Sequence, residues 1–150
     1  MPPIPKWILV AIILVSFIGF LDATYLTVKN YTQGILPCII FNGCETVLNS
    51  SYSKIGAIPI SLIGAGYYLL FFITAILYID IRHAKALKAL IFMPVFGFVA
   101  SLWFVYLQIF VLKAICFYCM VSAISSTALF AAGMYLLYLI KNKGRITKVN

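Results

Sequence analysis

The chain has 150 residues, 65% of them hydrophobic and only 9% charged, with a net charge of +8 and a mean hydropathy of +1.11. Soluble domains run nearer half apolar and roughly a quarter charged, and three acidic with eleven basic residues cannot cover one in water. Disorder, collagen, a coiled coil and a secreted disulfide miniprotein are excluded, which leaves an integral membrane protein.

Four uninterrupted apolar stretches cover about 7–28, 57–79, 89–112 and 116–140. Each exceeds the roughly 20 residues that cross a ~30 Å hydrocarbon core. Only helices or closed barrels satisfy backbone polar groups in lipid. A barrel needs short strands of alternating polarity, and these stretches do not alternate. The expected fold is an all-α integral membrane protein, a four-transmembrane-helix bundle forming a single membrane domain over 1–150. A lone lysine precedes the first stretch and no small-residue cleavage site follows it, so that segment reads as a retained signal anchor.

Orientation follows from the basic residues. Lys6, Arg82, Lys85, Lys88, Lys141, Lys143, Arg145 and Lys148 fall on one side, eight in all, against Lys29, Lys54 and Lys113 on the other. Cytoplasmic segments carry the excess. Both termini and the tail 141–150 are therefore expected in the cytoplasm. The interval 29–56, about 28 residues, is expected as an extracytoplasmic loop cap between helices 1 and 2. The split also argues against nucleic-acid binding, since no basic patch with interleaved aromatics occurs. His83 reads as a solvated loop histidine.

The first span holds one charge, Asp22. A carboxylate inside a membrane is costly and marks a functional candidate. It could relay protons, or it could be tucked under the loop and hydrogen-bonded there. Beyond it lie Cys38 and Cys44, in a segment whose Pro37, Asn42 and Gly43 suggest a mobile, turn-rich loop. In span two, Ala57, Ser61 and Ala65 recur at four-residue spacing as a close-packing face, and Pro59 suits a first helical turn. Span three carries many aromatics and Pro94, a candidate kink, with Gln108 near its outer end. Span four opens on Cys116-Phe-Tyr-Cys119 and continues through small residues, Ser122, Ala123, Ser125 and Ser126 among them. These permit close packing or leave room for a flat ring beside Cys119.

All four cysteines fall on the outer, oxidising side, where disulfides form. A bridge across two residues constrains little chain entropy, so it is a weak staple. The same spacing suits redox cycling, because a cysteine in a first helical turn feels the positive end of the macrodipole. A loop dithiol could meet a soluble partner and exchange with the helix pair. Two structural disulfides or a four-thiolate zinc site are the competing readings, and the outer face favours neither over a redox relay. No metal site is expected.

The order Cys38, Cys44, Ser50, then Gly56-Ala-Ile-Pro-Ile-Ser61, then Cys116 and Cys119 resembles the prokaryotic vitamin K epoxide reductase homologues over nearly the whole chain. The resemblance implies a bundle around a quinone of the menaquinone or ubiquinone type. It implies oxidation of a thioredoxin-like partner, expected to be a separate protein because no such domain follows span four. Cys38 and Cys44 would take electrons from the partner, Cys116 would exchange with them, and Cys119 would sit beside the quinone. Ser50 corresponds to the family's loop hydroxyl. Tyr52 and Ala123 stand where vertebrate members carry an asparagine and a tyrosine, so quinone reduction is expected rather than epoxide reduction. The runner-up is a small four-helix proton-coupled transporter using Asp22.

Overall fold

The computed structural model describes residues 4–32 and 43–146, the side chains of 143–146 aside. Helix α1 spans Lys6–Thr32, and a short helix α2 spans Cys44–Leu48. A single 3-10 turn at Ser51–Ser53 leads to strands β1 (Lys54–Ile55) and β2 (Ile58–Pro59). Helix α3 covers Ile60–Ile81 and α4 covers Ala84–Tyr106, continued by a π-helical turn at Leu107–Val111. Helix α5 covers Phe117–Ile146.

Four helices, Lys6–Thr32, Ile60–Ile81, Ala84–Val111 and Phe117–Asn142, are long and apolar enough to cross a membrane. They form a closed ring: α1 packs on α3 and α5, and α4 packs on α5 and more sparingly on α3. The side chains sort as lipid requires. On α1, Ile8, Ile12, Ser16, Gly19, Ala23 and Leu26 are buried at helical spacing, while Val10, Leu14, Phe17, Ile18 and Leu21 face outward. Outside and inside are both apolar, so small residues rather than hydrophobicity select the packed face. Gly19 shows the mechanism. A Cβ there would lie 2.5 Å from the Tyr68 ring of α3, so only glycine admits that ring. Gly133 lets α5 approach α4 closely, since a Cβ there would lie a tight 3.2 Å from the Leu90 carbonyl.

The two ends of the bundle differ. The end built from the start of α1, the end of α3, the start of α4 and the end of α5 is filled by Ile8, Ile12, Phe71, Tyr78, Leu90, Leu129 and Leu136. The other end is hollow, and residues 47–53 of the α1–α3 connection lie against it.

Two details depart from the apolar pattern. Residues 57–59, apolar and so read with span two, form the turn and second strand of a hairpin, with Lys54 opposite Pro59 and Ile55 opposite Ile58. Gly56 makes the reversal with φ +64°, a value that disfavours a side chain. Pro59 therefore stands just before α3, with an extended ψ of 138°, rather than in its first turn. His83 is exposed and also caps α4, its Nδ1 accepting from the Lys85 N–H at 3.3 Å.

Candidate redox site

The loop reaches the bundle through Gly43. A Cβ on Gly43 would lie 2.8 Å from both the backbone N and O of Ile115. The backbone before α2 therefore rests directly on the backbone before Cys116. This contact carries Cys44, the first residue of α2, into a cluster with Cys116, Leu26 and Leu48. Both sulfurs are fully buried, at 0% exposure. Cys44 is disulfide-bonded, whereas Cys116 and Cys119 are free thiols. Cys38 lies outside the described residues.

The helix pair is aimed by an irregular connection. The π turn at Leu107–Val111 and a left-handed Lys113, φ 48°, reverse the chain between α4 and α5. Buried Gln108 holds this reversal from both ends. Its carbonyl oxygen accepts from the Ala114 N–H at 3.1 Å, and its Oε1 accepts from the Cys116 N–H at 3.0 Å. Cys116 thus sits just ahead of α5 with its N–H satisfied by a side chain. Its own carbonyl accepts the first turn's bond from Met120 N–H at 3.1 Å. The thiols of Cys116 and Cys119 lie close enough to influence each other. Tyr118, between them, packs on Tyr25 of α1 at 5.2 Å between ring centroids, and Lys29 Nζ lies 5.8 Å over the Tyr25 ring.

Below this pair the hollow end holds a cavity of about 360 Å³, within the range of small-molecule sites. Cys119 forms part of its wall, and Cys116 does not. Ser50 and Tyr52 reach it from the loop, Ser61 from α3 and Ala123 from α5. Ser50 Oγ donates to the Val47 carbonyl at 2.7 Å, closing the end of α2. Ser61 Oγ is hydrogen-bonded to Thr27 Oγ1 at 3.0 Å, tying α3 to α1 at the cavity rim. Ala123, one turn beyond Cys119, leaves space where a larger side chain would fill the wall.

Asp22 does not reach the cavity. Its Oδ2 is buried without a hydrogen-bond partner among the described residues. The expected bond between this oxygen and the loop is therefore not made within them. The carboxyl nonetheless lies close enough to Cys116, Cys119, Tyr118 and Tyr68 to interact with each electrostatically.

Three other cavity groups escaped the sequence reading, Tyr67, Tyr68 and Gly97, and they line it together with Ser126, one of the small residues of span four. Tyr68 Oη donates to the Ser122 carbonyl at 2.7 Å. Ser126 stands seven residues after Cys119 on the same helix face. Gln108 stands out in the sequence as a polar group in an apolar span, but its hold on Cys116 depends on the chain reversal.

The vitamin K epoxide reductase family profile matches residues 10–134. No match was found among curated proteins. The matched stretch contains α1 from Val10 onward, the hairpin, α3 and the complete Cys116–Cys119 motif. Its free thiols at a helix start, beside a disulfide-bonded loop cysteine and a membrane-level cavity, suit thiol–disulfide chemistry. The chain belongs to the vitamin K epoxide reductase family, and is a multi-pass membrane oxidoreductase of the thiol–disulfide type.

Proposed function

We propose that this protein oxidises a thioredoxin-like partner and passes the electrons to a membrane quinone of the menaquinone or ubiquinone type. The observation that carries the reading is the burial of Cys44 against Cys116, next to a cavity walled by Cys119. A partner thiolate attacks the Cys38–Cys44 disulfide, and that S–S bond breaks as the partner's forms. The loop dithiol then reduces a Cys116–Cys119 disulfide by the same exchange, regaining its own S–S bond. Two electrons and two protons must leave Cys116 and Cys119 for their disulfide to re-form. A bound quinone supplies the acceptor for both.

The cavity suits such a ring. Its walls are largely apolar, and Gly64, Gly97, Ala100 and Ala123 leave flat space within them. The sparse packing of α3 on α4 supports a lateral opening for a lipid tail. Along the outer face of α4, Val95, Phe96, Val99 and Trp103 continue the apolar surface. Cys119 is the sulfur that adjoins the ring, and Cys116 is the one that exchanges with the loop. Asp22, half-buried and close enough to both thiols to interact with them electrostatically, is a candidate to take up a proton from them. The eight-to-three division of basic residues supports cytoplasmic termini. With that orientation the cysteines face the extracytoplasmic side, and the oxidised partner serves disulfide formation in exported proteins.

The test uses purified protein in detergent with a reduced thioredoxin-like protein and a short-chain quinone. Quinone absorbance and thiol trapping are followed together. The wild type should form quinol and partner disulfide in equal amounts, and Cys119→Ala should form neither in repeated turnover. Full activity in Cys119→Ala, with all function lost in Asp22→Asn, would overturn the relay in favour of a transporter.

A further inference from the structure

We propose that the hydroxyls of Tyr67 and Ser126 form a two-donor anchor for a carbonyl oxygen of the ring held in the cavity. This rests on the quinone reading above and adds the polar group that orients the ring.

Both hydroxyls line the cavity. Tyr67 Oη and Ser126 Oγ are each buried and have no hydrogen-bond partner among the described residues. Ser126 is 2% exposed. They come from different helices, α3 and α5, yet converge on one point beside α4. A Cβ built on Gly97 would lie 2.5 Å from Tyr67 Oη and 2.9 Å from Ser126 Oγ. Any larger residue at 97 would push the two apart, so the glycine preserves their convergence.

Neighbouring contacts direct the pair. The Tyr67 ring meets Tyr68 edge-on, 5.3 Å between centroids, and Phe71 at 6.2 Å. Tyr68 uses its own hydroxyl on the Ser122 carbonyl. Two buried hydroxyls without partners among the described residues, side by side on one cavity wall next to Gly97, call for an acceptor with two lone pairs, as a carbonyl oxygen has. Ser126 follows Cys119 by two helical turns on the same face, about 10 Å along the axis. A ring lying between them presents one edge to the sulfur and its far carbonyl to the hydroxyls. Donors at that oxygen stabilise negative charge building there as the ring accepts electrons. The anchor thus sets both the orientation of the ring and its readiness to be reduced.

The test compares wild type, Tyr67→Phe, Ser126→Ala and the double variant. The probe is a short-chain quinone carrying carbon-13 at one carbonyl. Infrared difference spectra read the stretch of the bound carbonyl, and equilibrium dialysis reads affinity. The wild type should lower the stretching frequency of one carbonyl. Each single variant should lose part of that shift and bind about 10-fold more weakly, the double losing the shift entirely. Exchange between the two cysteine pairs, followed by thiol trapping without quinone, should stay at the wild-type rate. A full frequency shift and unchanged affinity in the double variant would overturn the anchor and leave the oxidase reading standing. A wild type that binds no quinone would overturn both.

Discussion

Gly43→Ala tests whether the loop must seat against the bundle for electrons to pass. Gly43 has φ −92° and ψ −5°, a negative-φ conformation open to alanine, so the backbone penalty of the substitution is small. Its main effect is steric. The added Cβ would sit 2.8 Å from the backbone N and O of Ile115. Carbon prefers about 3.5 Å or more from a heavy atom, so the loop must lift by several tenths of an ångström. Neither side can yield by rotating a side chain, because both surfaces are backbone. Overpacking of this kind costs about 1–3 kcal/mol. The larger consequence is kinetic. Sulfur exchange demands close approach and alignment, and a misplacement near 1 Å can cost about 100-fold in rate. Gly43→Ala should therefore slow transfer between Cys44 and Cys116 by roughly 10- to 100-fold. Rapid-quench thiol trapping with a reduced partner reads that step. The control is direct reduction of the Cys116–Cys119 disulfide by a small thiol, which bypasses the loop and should feed quinone at the wild-type rate. Wild-type transfer in Gly43→Ala would refute the seating argument. Equal loss in both assays would show general damage to the bundle.

Gln108→Leu removes the acceptor of the Cys116 N–H and leaves a buried donor unpaired. It should cost about 1–3 kcal/mol, read as a lowered midpoint in thermal unfolding, whereas Gln108→Glu, which keeps an acceptor, should recover part of it. Gly19→Ala forces the Tyr68 ring away from α1. It should lower the unfolding midpoint by a similar ~1–3 kcal/mol and leave thiol exchange rates near wild type. Asp22→Asn keeps the shape of a half-buried side chain near both thiols and removes its ability to take a proton. Quinol formation should slow several-fold while loop-to-helix exchange continues, and equal rates for both steps would remove Asp22 from the proton route. Ser61→Ala breaks the hydroxyl link to Thr27 at the cavity rim. Its stability loss should be about 0.5–1.5 kcal/mol, measured in the same unfolding assay.

Composition and periodicity were enough for the helical membrane fold. An unbroken apolar stretch in lipid has few ways to satisfy its backbone, so length alone specifies a spanning helix. The Cys116–Cys119 motif was legible for a similar local reason, since the two cysteines are separated by only two residues at a helix start. The hairpin at 54–59 was not legible, because Ile58 and Pro59 are as apolar as the helix they precede. Its reversal depends on the backbone angle of Gly56.

The meeting of distant residues lay beyond local pattern. Cys44 reaches Cys116 only because two backbones touch at Gly43 and Ile115, a contact between residues far apart in the chain. Gln108 gains its role from a π turn and a left-handed Lys113 that fold it back onto the motif. Tyr67, Gly97 and Ser126 sit on three helices, and nothing in any one helix signals that two hydroxyls converge on a glycine. Spans and motif arise from interactions within a few residues, which a linear pattern records. The cavity, its unpaired hydroxyls and the seating of the loop arise from how four similar apolar surfaces choose neighbours, and small residues make that choice only once the helices are in contact.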